Sequence, residues 1–327
     1  MNIPVLYSET PETAPQDEQD VLVQVEAVVD ALSRIGHAPT AVPVDLNLAQ
    51  LKRHLKQLKP DLVFNLVESL AGQDRLIHIV PSLLDAMHMP YTGVETEALF
   101  LSSNKLLAKK NLRANGIATP DWLTGDESHL EPKIQGTYII KSVWDHASKG
   151  LDEKSVITDS NRTQLLREMT VRKKRLGGDC YAEAFIVGRE FNLSMLTGST
   201  GVDVLPPAEI KFGPDMPDGL QILGYRAKWD EDSDEYRSTT RCFDFEDADV
   251  PLLKNLTETA LHCWRLFALR GYARVDFRVD RSGRPWVLEV NANPCLSPDA
   301  GFAAALRQAG LTFGRAIERI INEAMKA

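Results

Sequence analysis

The chain has 327 residues, 43% of them apolar and 25% charged. That is an ordinary globular balance, but too much chain for one core, so two or three domains are expected. The formal net charge of -9 argues against a nucleic-acid or anionic-membrane binder, whose surface would be basic. The opening MNIPVLYSETPE has no basic stretch before an apolar one, no apolar run approaches the roughly 20 residues of a membrane span, and Cys180, Cys242, Cys263 and Cys295 form no C-x-x-C pair. The expectation is a reducing cytoplasm, with neither a zinc site nor a disulfide framework.

Ile3 to Tyr7 is a short apolar run that reads as a first strand. Val21, Val25, Val28, Leu32 and Ile35 follow at helical spacing until Gly36 stops the helix. Residues 39–44 and 61–67 read as further strands, with an amphipathic segment at 46–58 between them. Strand–helix alternation implies a parallel sheet covered by helices, a small doubly wound domain ending near residue 93. No G-x-G-x-x-G follows the first strand, which weakens a dinucleotide reading. Residues 97–115 read as one basic helical segment closed by Gly116. Strands then dominate, at 137–142, 155–158, 180–186, 189–196 and 202–212. The polar, acidic stretch Asp230 to Asp249 reads as a mobile loop. Residues 273–280 and 285–292 form a hairpin around Arg281-Ser282-Gly283-Arg284, and Phe313 to Met325 is a last amphipathic helix.

That hairpin, RVDFRVDRSGRPWVLEVNANP, carries the chemistry. Alternate side chains of a strand share a face, so Arg274 and Asp276 point one way and Val275, Phe277 and Val279 the other. On the second strand Glu289 and Asn291 share one face, with Leu288 and Val290 opposite. One side is apolar; the other presents two carboxylates, an amide oxygen and a guanidinium. Magnesium takes hard oxygen ligands, usually one or two carboxylates completed by phosphate oxygens and water. Asp276, Glu289 and Asn291 have that chemistry, and Arg274 beside them suits a transferring phosphoryl group. The alternative is a half-exposed hairpin with a solvated polar face.

The segment resembles the metal-binding hairpin of the ATP-grasp superfamily, and specifically of D-alanine–D-alanine ligases. PYTG at 90–93, NKLLAKKNLRANGIATP at 104–120, YIIKS at 138–142, EAFIVGREF at 183–191 and LRQAGLTFGRAI at 306–317 continue the resemblance in order, over about residues 60–320. It implies an α/β chain, α+β in part, with the three-domain ATP-grasp fold. Residues 1–93 would be a doubly wound α/β domain on the substrate side and 94–182 a small central α+β subdomain. Residues 183–327 would be a C-terminal α+β subdomain with an antiparallel sheet.

By position, Lys105 and Lys141 resemble the lysines that hold ATP phosphates, Glu183 and the backbone near Ile186 the adenine clamp, and Glu190 the ribose-binding carboxylate. Lys228, in GYRAKWDE, resembles a lysine of a mobile loop that reaches the phosphates, and with Arg274 it would be catalytic. The phosphate-covering loop reads WDHASKG. Ser148 and Gly150 match, Ala147 replaces a serine, and His146 fills a place often held by glycine. Taken singly, each of these residues could instead be a solvated surface group.

The resemblance implies a cytoplasmic ligase that uses ATP and one or two Mg2+, with Mn2+ as a substitute. It would join a carboxylate to an amine through an acyl phosphate. Its partners would be small molecules, with no nucleic acid or membrane, and a homodimer is left open. The departures fall on the amino-acid sites. The family's glycine pair, serine and glutamate after strand one become YSETPETAPQDEQD, where Asp17 or Glu18 could stand in for the glutamate or serve only the helix N-terminus. Ala300 replaces a serine that meets the second substrate's carboxylate, and Cys295 replaces a glycine. Acyl-phosphate chemistry needs no thiol nucleophile. Other readings are a ligase for a different dipeptide or a non-amino-acid carboxylate, or a nucleotide-binding module without ligase activity.

Overall fold

In the computed structural model the described residues are 1–11, 13–125, 136–146, 148, 150–175, 178–213, 221–230 and 232–326. The first sheet forms from β1 (Asn2–Ser8), β2 (Ala38–Val44) and β3 (Phe64–Leu66), all parallel, in the order β2-β1-β3. Helix α1 (Gln16–Arg34) lays Val21, Val25, Val28 and Leu32 against Ile3 and Val5. Helices α2 (Leu48–Leu58) and α3 (Ile79–Ala86) cover the other face, around Leu6, Val42 and Val44. Helices on both faces of a parallel sheet are the doubly wound arrangement that the apolar spacing predicts.

The single helix expected over 97–115 is two, α4 (Thr96–Ser103) and α5 (Lys105–Ala114). Asn104 sits between them in an extended conformation, and its side chain accepts from the Leu107 N–H at 3.0 Å. A capping asparagine satisfies an orphan donor of the new helix, which makes the break favourable. The second sheet contains β4 (Trp122–Leu123), β5 (Gly136–Ser142), β6 (Val156–Ser160) and β7 (Cys180–Ala184), ordered β4-β7-β5-β6 and antiparallel. Helix α6 (Arg162–Arg175) packs Leu165 and Met169 against Tyr138, Ile140 and Ala182.

The third sheet is the largest. Its strands are β8 (Gly188–Thr197), β9 (Val202–Val204), β10 (Ala208–Lys211), β11 (Thr240–Cys242), β12 (Tyr272–Asp280) and β13 (Pro285–Asn291), ordered β11-β10-β8-β12-β13 with β9 on the end of β8. The strand expected over 202–212 divides at Pro206-Pro207, which have no N–H for a ladder. The stretch expected to be a loop, 230–249, contains α8 (Asp234–Ser238) and β11; α7 (Tyr225–Trp229) precedes it. One face of the sheet, with Phe191, Leu193, Met195, Val275, Phe277 and Val279, is buried under α4, α5 and α9 (Val250–Leu266). The opposite face carries Glu190, Asn192, Arg274, Asp276 and Arg278 into a cavity. The last helices, α10 (Gly301–Gln308) and α11 (Phe313–Ala324), pack Phe302, Leu306, Ile317, Ile320 and Ile321 into the core begun by β1 and α1.

Candidate active site

The cavity encloses about 1000 Å³, enough for a nucleotide and small substrates. Lys105, Lys141, Ser148, Glu183, Ile186, Glu190, Lys228, Arg274, Asp276, Glu289 and Asn291, all singled out from the sequence, line it, as does His146; Gly150 does not.

At its centre is the hairpin. Arg274 grips Asp276 with both ends of its fork, Nε to Oδ1 at 2.7 Å and Nη2 to Oδ2 at 2.8 Å. Asn192 Nδ2 donates to Asp276 Oδ1 at 2.8 Å. Asn291 Nδ2 donates to Asp276 Oδ2 at 2.9 Å and to Glu289 Oε1 at 3.4 Å, so one amide touches both carboxylates. Burial raises the Asp276 carboxyl, against the pull of Arg274. Burial works the same way on Glu289, but Lys105, Lys228, His146 and Arg274 outweigh it and hold that carboxyl far below its usual range. Glu289 is thus a fixed negative charge amid cations. The oxygen chemistry fits a hard divalent cation with only two carboxylates. Among the described residues no cluster of three or more His, Cys, Asp or Glu stands as a self-sufficient metal cage, so phosphate and water oxygens would have to complete the shell.

One expectation about this hairpin is corrected. The pairing shifts between Asp276 and Phe277, so Asp276 faces Glu289 while Phe277 faces Val287. The extra residue is Leu288, which a β-bulge turns away from the buried cluster containing Val287 and Val290 and into the cavity.

The lysines converge from separate elements. Lys105 opens α5 and donates to the Asp145 carbonyl at 2.6 Å. Lys141, near the end of β5, donates to Glu183 Oε1 at 2.5 Å, while Lys109 takes Glu183 Oε2 at 2.6 Å and Thr119 Oγ1 at 2.8 Å. Both Glu183 oxygens are therefore held by lysines. Ser148 has φ 60° and donates its hydroxyl to the Leu223 carbonyl at 2.8 Å; Gly150 follows with φ 68°. Ala147 lies outside the described residues. Further along, Glu190 pairs with Arg278 at 2.9 Å, and Ile186, Leu288, Ile139, Phe185 and Ile222 line the apolar part. Lys228 sits on α7 and has no hydrogen-bond or ion-pair partner among the described residues, although Glu289, Asp276 and Glu190 face it. Burial and then Arg274 lower its ammonium.

The remaining wall was not singled out from the sequence, apart from Cys295, Ala300, Asp17 and Glu18. Asp20 accepts from the Ser297 hydroxyl at 3.0 Å and from the Cys295 thiol at 3.0 Å. Burial raises the Asp20 carboxyl against those bonds. Burial also lifts the Cys295 thiol well above its ordinary value, helped by Glu68 and Asp20, so it stays protonated and a poor nucleophile. One turn along α1, Gln24 accepts from the Leu296 N–H at 2.8 Å and donates to Glu68 at 3.0 Å. Asp17 accepts from the Tyr225 hydroxyl at 2.8 Å, and Glu18 lines the same wall. The one sequence signal for this arrangement is the four-residue spacing of Asp20 and Gln24, which places both on one helix face.

The family model for the D-ala D-ala ligase C-terminus matches residues 152–322, and a D-alanine–D-alanine ligase of Moorella thermoacetica is 30% identical over 322 residues, 95% of this chain and 97% of that protein. The chain belongs to the D-alanine–D-alanine ligase family. It is a ligase that forms carbon–nitrogen bonds. A D-alanine–D-alanine ligase of Aquifex aeolicus is 29% identical over 91% of this chain and 93% of its own, and an uncharacterised protein, y4sG, of Sinorhizobium fredii is 28% identical over 97% and 90%. The D-alanine–D-alanine ligase of Bacillus anthracis, solved in complex with ATP, superposes with a TM-score of 0.73 over 100% of this chain and 98% of its own at 20% identity. That likeness carries the three-domain ATP-grasp fold. No helix among the described residues is long and apolar enough to cross a membrane.

Proposed function

We propose that this family member is an ATP- and Mg2+-dependent carboxylate–amine ligase whose amino-acid sites differ from those of a D-alanine–D-alanine ligase. The observation that carries the reading is the meeting of Asp276, Glu289, Asn291 and Arg274 on one sheet face, with Lys228 turned toward them from α7. Asp276, Glu289 and Asn291 would hold Mg2+, Asn291 turning its amide oxygen inward. Bound there, Mg2+ (or Mn2+) would supply charge neutralisation to the phosphates. Lys105, Lys141 and the 144–150 loop with Ser148 would orient the phosphates. Ile186 and Leu288 would receive the base, Glu183 would act through Lys141, and Glu190 would bind the ribose. Arg274 and Lys228 would then stabilise the γ-phosphoryl group as the first substrate's carboxylate attacks it, before the amine displaces phosphate. Burial around them strengthens the attraction between opposite charges and would keep water from the acyl phosphate.

The division into 1–93, 94–182 and 183–327 belongs to this proposal, and the three sheets support it, except that β7 runs on to Ala184 within the second sheet. A cytoplasmic setting and small-molecule partners complete the reading.

The altered specificity rests on the acceptor loop. Ala300 has no hydroxyl, its N–H already bonds the Ser297 carbonyl at 3.0 Å, and Pro294 and Pro298 have no N–H. Losing donors that a site uses discriminates strongly against the original substrate. With D-alanine as sole amino acid at millimolar concentration, ADP release should be negligible although ATP binds. Robust dipeptide formation would restore the plain family activity to this chain. A screen of paired acids and amines should reveal turnover that Glu289→Gln abolishes; ADP release unchanged in that variant would remove Glu289 from the metal site.

A further inference from the structure

Arg241 sits on the edge strand β11, directly across from Ile210 of β10. Ile210 pairs with Glu190, and Glu190 with Arg278, so a row runs across the sheet on the cavity side. Arg241 Nη1 donates to the Asp299 carbonyl at 3.0 Å, and a Cβ added at Gly301 would lie 3.6 Å from Arg241 Nε. The guanidinium therefore rests against residues 299–301, at the cavity mouth.

The other cavity arginines are matched to carboxylates, Arg274 to Asp276 at 2.7 Å and Arg278 to Glu190 at 2.9 Å. Arg241 has no such partner among the described residues; its single hydrogen bond goes to a neutral carbonyl. The charged and titratable groups that face it are Arg274 and Arg307, which repel it, and Asp299 and Tyr236. A guanidinium has five N–H donors in a planar fork. Exposed at the cavity mouth, repelled by two other cations and attracted by Asp299, with one donor given to a neutral carbonyl, it can turn its remaining donors to an arriving anion, and a carboxylate matches that fork best. The neighbouring loop offers little else: Ser297 is committed to Asp20, and the Ala300 N–H to Ser297. The carboxylate that reacts is the one beside Lys228 and the hairpin. A second carboxylate, held without being activated, belongs to the incoming amine.

We propose that Arg241 supplies, in place of the hydroxyl that Ala300 lacks, the group that binds the free carboxylate of the amine substrate. The proposal rests on the ligase reading above and adds the residue that recognises the acceptor. The test uses the full chain with Mg-ATP and a panel of free amino acids of both hands and dipeptides, each beside its C-terminal carboxamide. ADP release reports turnover. Equilibrium binding of the same panel, with a non-hydrolysable ATP analogue present, reports recognition.

Wild type should use the acids and reject the amides. Arg241→Ala should raise KM for the acid at least ~10-fold, the factor that about 1.4 kcal/mol represents, abolish the preference for acid over amide, and leave the ATP KM unchanged. Arg241→Lys should recover part of the preference, since it keeps the charge without the fork. A thermal melt checks that the variants fold. Wild-type turnover of amides or simple amines equal to that of the acids overturns the proposal, as does an undiminished acid preference in Arg241→Ala. If no pair releases ADP, the ligase reading fails. The binding arm then decides separately: carboxylates that bind wild type at least tenfold more tightly than Arg241→Ala sustain the anion site, and their absence overturns it.

Discussion

Lys109 does not line the cavity, yet the proposed ATP site depends on it by geometry. It is among the most buried side chains of the protein, and its ammonium fixes the Glu183 oxygen that Lys141 does not hold. With Lys109→Met, Glu183 would keep Lys141 as its charged partner, beside the Tyr181 hydroxyl at 3.5 Å, and compete with phosphate for that lysine. ATP should then bind about tenfold more weakly by calorimetry, on the scale of one charged hydrogen bond; unchanged affinity would relegate Lys109 to packing. A proton linkage follows. Burial lowers the Lys109 ammonium to about 8 from an ordinary 10.5, against Glu183 and with help from Lys141 and Arg113. Between those two pH values the unfolded chain keeps a proton that the folded chain has released, so this group's contribution to stability rises with pH across that window. Over the same window ATP affinity should fall more steeply in wild type than in Lys109→Met, where the lowered Lys105 and Lys228 ammoniums still titrate. The hairpin residues were legible because strand alternation sorts them by face. Lys109 and Asp20 were not, because their partners Glu183 and Cys295 lie 74 and 275 residues away.

Elements were legible where one physical signal dominated. Helix α1 declared itself by spacing, and β12 with β13 by alternation around a glycine loop. The α4–α5 break was hidden, because Asn104 interrupts a run whose neighbours all favour helix, and only its capping bond reveals the stop. The bulge at Leu288 was equally invisible, since no residue there is a glycine or proline. Strand β11 was concealed within an acidic stretch, and it matters because it carries Arg241. The start of β8 holds the most tightly enclosed glycine among the described residues. Gly188 has φ 151°, and an added Cβ would lie 1.9 Å from the Val279 carbonyl oxygen. Gly188→Ala must therefore separate β8 from β12 at that end. A loss above about 4 kcal/mol in denaturant unfolding, beyond the usual range for single changes, is expected. A near-wild-type midpoint would show that the two strands can part there freely.

Across the whole molecule, the cavity wall formed by α1 and the largest sheet are tied by one apolar core. Ile3, Val5, Val25 and Val28 share it with Phe302, Leu306, Ile317 and Ile321, and Asp20 and Gln24 pin the 295–297 loop onto α1. Removing α11 should therefore expose the apolar face of α1. A chain ending at Leu311 is expected to lose cooperative unfolding of β1 and α1, read by hydrogen exchange, while α6 and its sheet keep their protection; retained protection in α1 would show that the first sheet stands alone. The same core has a consequence for biosynthesis. Its first half leaves the ribosome with α1 and its second half about 280 residues later. At ordinary rates of about 5–20 residues per second, that is a wait of roughly 15–55 s with a valine-rich helix face uncovered. The second sheet can close around α6 as it emerges, but the first core stays half-open until α10 and α11 follow, so this chain is expected to engage chaperones that shield nascent apolar surface.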